Sequence, residues 1–260
     1  MRLLLLLLLW LTVPVHAGGD GRATFTPCSR GLANYAGAHV ANALTVDELV
    51  ARNIRTRGGL DKIKAIHSLK MTGKFRYGST ELEATRLYKR QLRYRSEATM
   101  QGLTAIQAFD GTRGWRLDPF GGRRDKELVS ADESRDLAYE ADFEGPLVDY
   151  QAKGHRVEYL GTEDVDGTEA HKLRVSLRGG DTAYVYLDPD YFLEIRVVRQ
   201  RIVRGVEVVE ETDYSNYERV GGVYFPFSIE TGGRNGPKNT RLILEKGEAN
   251  VPIDEAVFRP

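Results

Sequence analysis

From Leu69 onward the sequence alternates apolar and polar residues with a period of two, which commits most of the chain to strands with one dry face and one wet face. Leu69, Met71, Gly73, Phe75 and Tyr77 alternate with Lys70, Thr72, Lys74 and Arg76. Leu82, Ala84 and Tyr88 alternate with Glu81, Glu83 and Lys89, and Leu92 and Tyr94 alternate with Arg93 and Arg95. Further strands are predicted around residues 103–109, 114–117, 157–160, 173–177, 183–187, 193–203, 206–217, 223–229 and 242–244. Asp110-Gly111, Asp166-Gly167, Gly179-Gly180-Asp181, Asp188-Pro189-Asp190, Arg204-Gly205 and Gly221-Gly222 separate them with residues that supply a positive or preset φ. Connections this short cannot hold a helical crossover, so neighbouring strands are expected to pair antiparallel.

Helical segments interrupt the pattern. Thr45 and Glu48 have capping-box spacing, and Val46, Leu49, Val50 and Ile54 form one apolar face that stops at Gly58-Gly59. Leu60, Ile63 and Ile66 suggest a second, shorter helix. Ser130 and Glu133 repeat the capping box ahead of Leu137, Ala138, Ala141 and Phe143, and Gly145-Pro146 follows. A sheet with one apolar face must cover it, and these helices are the elements free to do so. The expected fold is mainly β with α (α+β): a strongly curved antiparallel sheet forming a half-barrel, covered by an N-terminal helix and a helical lid.

At the N-terminus, Arg2 precedes an apolar run from Leu3 to Leu11, then Pro14 and Val15-His16-Ala17. The run falls well short of the roughly 20 residues that span a bilayer, so it reads as a cleavable export signal processed after Ala17. Residues 18–43 are rich in Gly and Ala without periodicity and read as a disordered leader, which leaves residues 44–260 as one domain. Periplasmic localisation is the expectation. Cys28 is the only cysteine, so no intramolecular disulfide can form; it follows Thr26-Pro27 rather than a small-residue box, which favours a lone thiol over a lipid anchor.

Lysine plus arginine and aspartate plus glutamate both number 37, and removal of the signal takes away one basic residue. A balance this even argues against a nucleic-acid surface and gives no electrostatic reason to sit on anionic lipid. No G-x-S-x-G, H-E-x-x-H, P-loop or dinucleotide motif occurs, so the chain reads as non-enzymatic, with no catalytic residue, metal or cofactor expected. His39, His67, His155 and His171 lie far apart and read as surface or edge residues. The acidic run Glu163-Asp164-Val165-Asp166-Gly167 reads as a hairpin turn rather than a calcium loop. Asp142 and Glu144 read as solvated carboxylates at a helix end.

Phe109-Asp110-Gly111, Gly114-Trp115, Asp118-Pro119-Phe120, the basic stretch Tyr88-Lys89-Arg90 and the closing segment Val251 to Pro260 resemble the LolA-like periplasmic lipoprotein carriers. The resemblance runs over most of the chain from Thr45 onward and is nearest to the lipoprotein-sorting-like branch. It implies that Arg90 latches the lid by bonding to lid backbone; the proline that usually follows is Gln91 here. It also implies a monomeric carrier of lipoprotein or lipid acyl chains that works with membrane-bound donor and acceptor proteins. Some LolA-like domains belong to envelope-stress regulators, so a lipid-sensing or protein-interaction module is the alternative. The chain ends soon after its last strand, which favours the stand-alone carrier.

The apolar-parity residues Met71, Phe75, Leu82, Tyr88, Tyr94, Ile106, Trp115 and Leu117, with Leu137 and Phe143 from the lid, are the candidate lining of a lipid cavity. The same residues would make an ordinary filled core, and the sequence leaves both arrangements open.

Overall fold

The computed structural model describes residues 44–260; the expected signal and leader, Cys28 and His39 lie outside the described residues. The chain enters through α1 (Val46–Arg57), whose Thr45 and Glu48 form the capping box, and α2 (Leu60–Ala65). It then runs through β1 (Ser68–Tyr77), β2 (Thr80–Lys89), β3 (Arg93–Met100), β4 (Leu103–Asp110), β5 (Gly114–Leu117) and the short β6 (Glu127–Leu128). After α3 (Ala131–Glu140) come β7 (Arg156–Val165), β8 (Thr168–Ser176), β9 (Thr182–Leu187), β10 (Glu194–Val203), β11 (Val206–Val220), β12 (Val223–Gly233) and β13 (Lys238–Ala249).

These strands form one 13-stranded sheet in the order β6-β5-β4-β3-β2-β1-β13-β12-β11-β10-β9-β8-β7. Every pairing is antiparallel. The sheet is curved but not closed, giving the half-barrel with helical cover that the alternation predicts. Its strand order also dictates the cover. β6 and β7 are consecutive in the chain yet occupy opposite edges, so residues 129–155 must travel from one edge to the other, and α3 lies on this path. α3 packs on β3, β4 and β5, whereas α1 packs on β7 and β12, which leaves the ground between the two helices to the crossing segment.

Several strands exceed their predicted lengths. β13 runs on past Leu244 to Ala249, where Gly247 interrupts the apolar rhythm because Met71 and Val220 occupy the place its side chain would take. β7 continues to Val165, and the turn narrows to Asp166-Gly167 with φ of 51° and 90°, the paired left-handed residues of a two-residue hairpin. Leu92 was expected in β3 but sits in the preceding turn at φ 56°, 42% exposed, because the chain reverses at Gln91-Leu92 before the strand begins.

Registered partners share a face of the sheet. Tyr88, Tyr94 and Phe109 form one row on the helix-covered face, together with Met71, Arg86 and Ser96 in the next. Leu87, Arg95, Ala108 and Trp115 form a row on the opposite face. There Ile106, Ala108 and Trp115 pack with Leu117 into a separate cluster, and the Trp115 indole donates to the Phe258 carbonyl at 2.7 Å. Ile106, Trp115 and Leu117 therefore stand outside the candidate cavity. Alternation does not separate inside from outside here because β4 is buried on both faces, Ala105 and Phe109 on one and Ile106 and Ala108 on the other.

The seam between β1 and β13 joins the two runs of strands, and its register shifts beside Gly73. A Cβ on Gly73 would collide with the Ile243 carbonyl, whereas one on Gly179 would meet nothing within 4 Å. Gly73→Ala is accordingly expected to lower unfolding free energy by about 2 kcal/mol or more, and Gly179→Ala to change it by no more than about 0.5 kcal/mol. Urea denaturation of both variants checks this pair.

Candidate functional site

Between the sheet and the crossing segment lies a cavity of about 840 Å³. Leu69 and Met71 of β1, Phe225 and Ile229 of β12, and Leu244 of β13 contribute its apolar floor. Ala138, Ala141, Phe143 and Pro146 contribute the apolar part of the cover. Polar side chains share the lining: Arg86, Tyr139, Glu194, Arg199, Tyr214 and Tyr217 also face the space. The Tyr217 hydroxyl donates to the Glu194 carbonyl at 2.7 Å, and burial pushes the Tyr214 and Tyr217 phenols well above their ordinary pKa.

Of the residues expected from sequence, Met71, Tyr88, Arg90 and Phe143 line this cavity. Phe75, Tyr94 and Leu137 pack in the adjoining core, Tyr94 with its ring centroid 5.1 Å from that of Tyr88. Leu82 is 2% exposed and pairs with Phe75 across the β1–β2 ladder.

Arg90 leaves β2 at the hairpin and reaches back under α2. Its guanidinium donates to the carbonyls of Ile63 at 2.7 Å, Lys64 at 3.0 Å and Ile66 at 2.8 Å, and also pairs with the Glu144 carboxylate. It lies 5.3 Å above the Phe143 ring. The backbone it bonds is that of α2, and it meets the crossing segment through side chains. Lid backbone is instead bonded by Arg57, whose Nη1 donates to the Glu144 carbonyl and whose Nη2 donates to the Phe143 carbonyl at 3.5 Å. Proline could not replace Gln91 in this hairpin, since Gln91 has φ 67° and proline requires a negative φ.

Glu144 is not the solvated carboxylate its position suggested. Its side chain is 8% exposed and accepts from Lys64 at 2.9 Å on both oxygens as well as from Arg90. Burial opposes its charge, but Lys64 and Arg90 outweigh burial and hold the carboxyl below its ordinary pKa. Asp142 is partly buried as well, paired with Lys153. Glu144 fastens the crossing segment to α1, α2 and the end of β2, whereas Asp142 pairs with a lysine of the same segment and braces it internally.

A second polar group ties α3 to the other half of the sheet. Asp136 pairs with Arg199 at 2.7 Å and Arg201 at 3.3 Å, and Arg199 also pairs with Asp181 at 2.8 Å. The Arg199 guanidinium sits 4.3 Å from the centre of the Tyr139 ring. Beside them, burial pushes the Glu210 carboxyl up to about 7, against the opposing pull of Arg201.

Sequence reasoning missed Arg57, Arg86, Asp136, Glu144 and Arg199. A readable signal existed for some of them: Arg86 falls at apolar parity between Ala84 and Tyr88, and Arg57 lies four residues after the buried Asn53 on the packed face of α1. Among the described residues no group of three or more His, Cys, Asp or Glu is placed to hold a metal ion, and Glu163 is instead bonded to Lys172 and Tyr186.

No family model matches this sequence, and no curated protein matches it. In shape it is similar to a LolA superfamily protein from Nitrosomonas europaea, at 13% identity and a TM-score of 0.55, covering 84% of this chain and 99% of that one. It is also similar to a DUF1329 family protein from Desulfovibrio piger, at 11% identity and a TM-score of 0.52, covering 82% of this chain and 97% of that one. The fold is LolA-like.

Two outcomes test the fastening. Arg90→Lys retains a charge for Glu144 but cannot serve the three carbonyls of Ile63, Lys64 and Ile66 at the end of α2, so about 2 kcal/mol of unfolding free energy should be lost on urea titration. Glu210 holds its proton to about 7 when folded and releases it in the ordinary carboxylate range when unfolded. The folded state thus binds more protons in that window, so stability falls as pH rises through it. Glu210→Gln should flatten this fall in urea midpoints measured from about pH 5 to about pH 8.

Proposed function

We propose that this chain is a lipid carrier that holds a hydrocarbon chain between its sheet and its lid. The observation behind this reading is the cavity of about 840 Å³ over the floor of Leu69, Met71, Phe225, Ile229 and Leu244. That volume lies within the roughly 300–1,000 Å³ common for small-molecule sites. Each methylene taken out of water contributes about 0.8 kcal/mol, so a chain of about sixteen carbons offers on the order of 10 kcal/mol before ordering costs. No chemical step is needed for such a role; shielding alone is the activity.

The same proposal includes export. Among the described residues no helix is long and apolar enough to cross a membrane, and the signal read at residues 1–17 would deliver the chain to the periplasm after processing behind Ala17. A carrier between two membranes would collect and release its cargo at membrane-bound proteins. The LolA-like fold supports this reading.

Protein isolated without detergent and examined by native mass spectrometry is expected to carry bound lipid, and its intact mass should begin at Gly18. Ala138→Trp, which projects a large ring from the cover into the cavity, should reduce the lipid-bound fraction while leaving the circular dichroism spectrum unaltered. Repeated recovery of wild-type protein with an empty cavity, together with failure to take up added lipid, would defeat the proposal.

A further inference from the structure

We propose that the hydrocarbon belongs to an amphiphile with an anionic headgroup, and that Arg86 receives that headgroup. This rests on the carrier reading above and specifies its ligand class. Although the whole chain carries 37 basic and 37 acidic side chains, the cavity lining holds eight lysines and arginines against five carboxylates.

Most of those cations are engaged. Arg57 and Arg90 serve backbone carbonyls, Arg90 also pairs with Glu144, Lys153 pairs with Asp142, Arg199 with Asp136 and Asp181, Lys89 with Glu255, and Arg135 with Asp132. Arg86 differs from them. It stands on β2 with Met71 and Ser96 as its cross-strand neighbours, on the helix-covered face, and its side chain is 22% exposed. Its ion pair is with Glu140 at 3.8 Å, beyond hydrogen-bond reach, and the Glu140 side chain is 42% exposed at the end of α3. Burial works against the guanidinium charge, but the Tyr94 and Tyr88 hydroxyls and the Glu140 carboxylate outweigh it, Tyr88 accepting a hydrogen bond, so that Glu140 is the one carboxylate paired with it.

A largely buried cation is stable where a counter-charge and hydrogen-bond acceptors meet it. A carboxylate or phosphate monoester fits the two-pronged donor edge of a guanidinium, and can displace the long, half-exposed contact with Glu140. From Arg86 the neighbouring floor is Met71 and Leu69 and then Leu244, so an alkyl tail attached to the bound anion runs directly onto apolar surface. A neutral headgroup would leave the cation only its long contact with Glu140, and a cationic one would meet its own sign.

The test is displacement of Nile red from delipidated full-length mature protein by hexadecanoate, hexadecyl phosphate and hexadecanol. At least one anion should bind about tenfold more tightly than the alcohol, and the stronger of the two identifies the headgroup chemistry. Arg86→Met should abolish this preference, Arg86→Lys should retain part of it, and Glu140→Gln should enlarge the ratio of anion to alcohol affinity. Should Arg86→Met fail to fold by circular dichroism, an unaltered ratio in Glu140→Gln would overturn the assignment. Equal binding of all three compounds by the wild type would overturn it while leaving the carrier reading intact. Binding of none would remove both.

Discussion

Glu144 is the point at which the crossing segment is fastened to the rest of the molecule. Its carboxylate takes Lys64 and Arg90, and its carbonyl takes Arg57, so α1, α2 and the end of β2 all converge on one residue of the cover. Such a half-buried ionic group adds little net stability, because desolvation offsets most of the attraction. Removing one partner is another matter, since it leaves charge in low dielectric without compensation. The energetic asymmetry means that the group chiefly fixes where the cover sits. Asp136 with Arg199 and Arg201 does the same for α3 on the opposite half of the sheet.

Between these two fastenings the cover bridges the sheet without filling the hollow beneath it. The route of the chain explains this. Residues 129–155 have to link opposite edges of a 13-stranded sheet, and α3 accounts for only Ala131–Glu140 of that path. α1 meanwhile is committed to a second apolar cluster with Leu173, Val175, Ala183, Val185 and Leu187. The central floor is left with a loop above it, and a loop carries too little side-chain volume to close the space. The tyrosines and arginines on the walls then give that space a polar side as well as an apolar one.

Much of the fold could be read from local pattern. Capping boxes at Thr45 and Ser130, the alternation through β1 and β2, and the paired turn residues Asp166-Gly167, Arg204-Gly205 and Gly221-Gly222 each state a local preference, and all of them agree with the structure. The candidate site was less legible. Ile106, Trp115 and Leu117 looked like lining, but they pack on the far face, where the C-terminal turn carrying Phe258 supplies a second small core. Glu144 looked like a surface acid, because nothing local announces that Arg57, Lys64 and Arg90 will surround it.

Periodicity, capping and turn chemistry act over a few residues, and they specified the main helices, most of the strands, the antiparallel sense of the sheet and the need for a helical cover. Tertiary structure alone decided which face of β4 and β5 looks inward, which cations converge on Glu144, and that a hollow remains beneath the lid. Those outcomes depend on β6 and β7 lying at opposite edges and on β1 pairing with β13, contacts between residues far apart in the chain that no short-range pattern encodes.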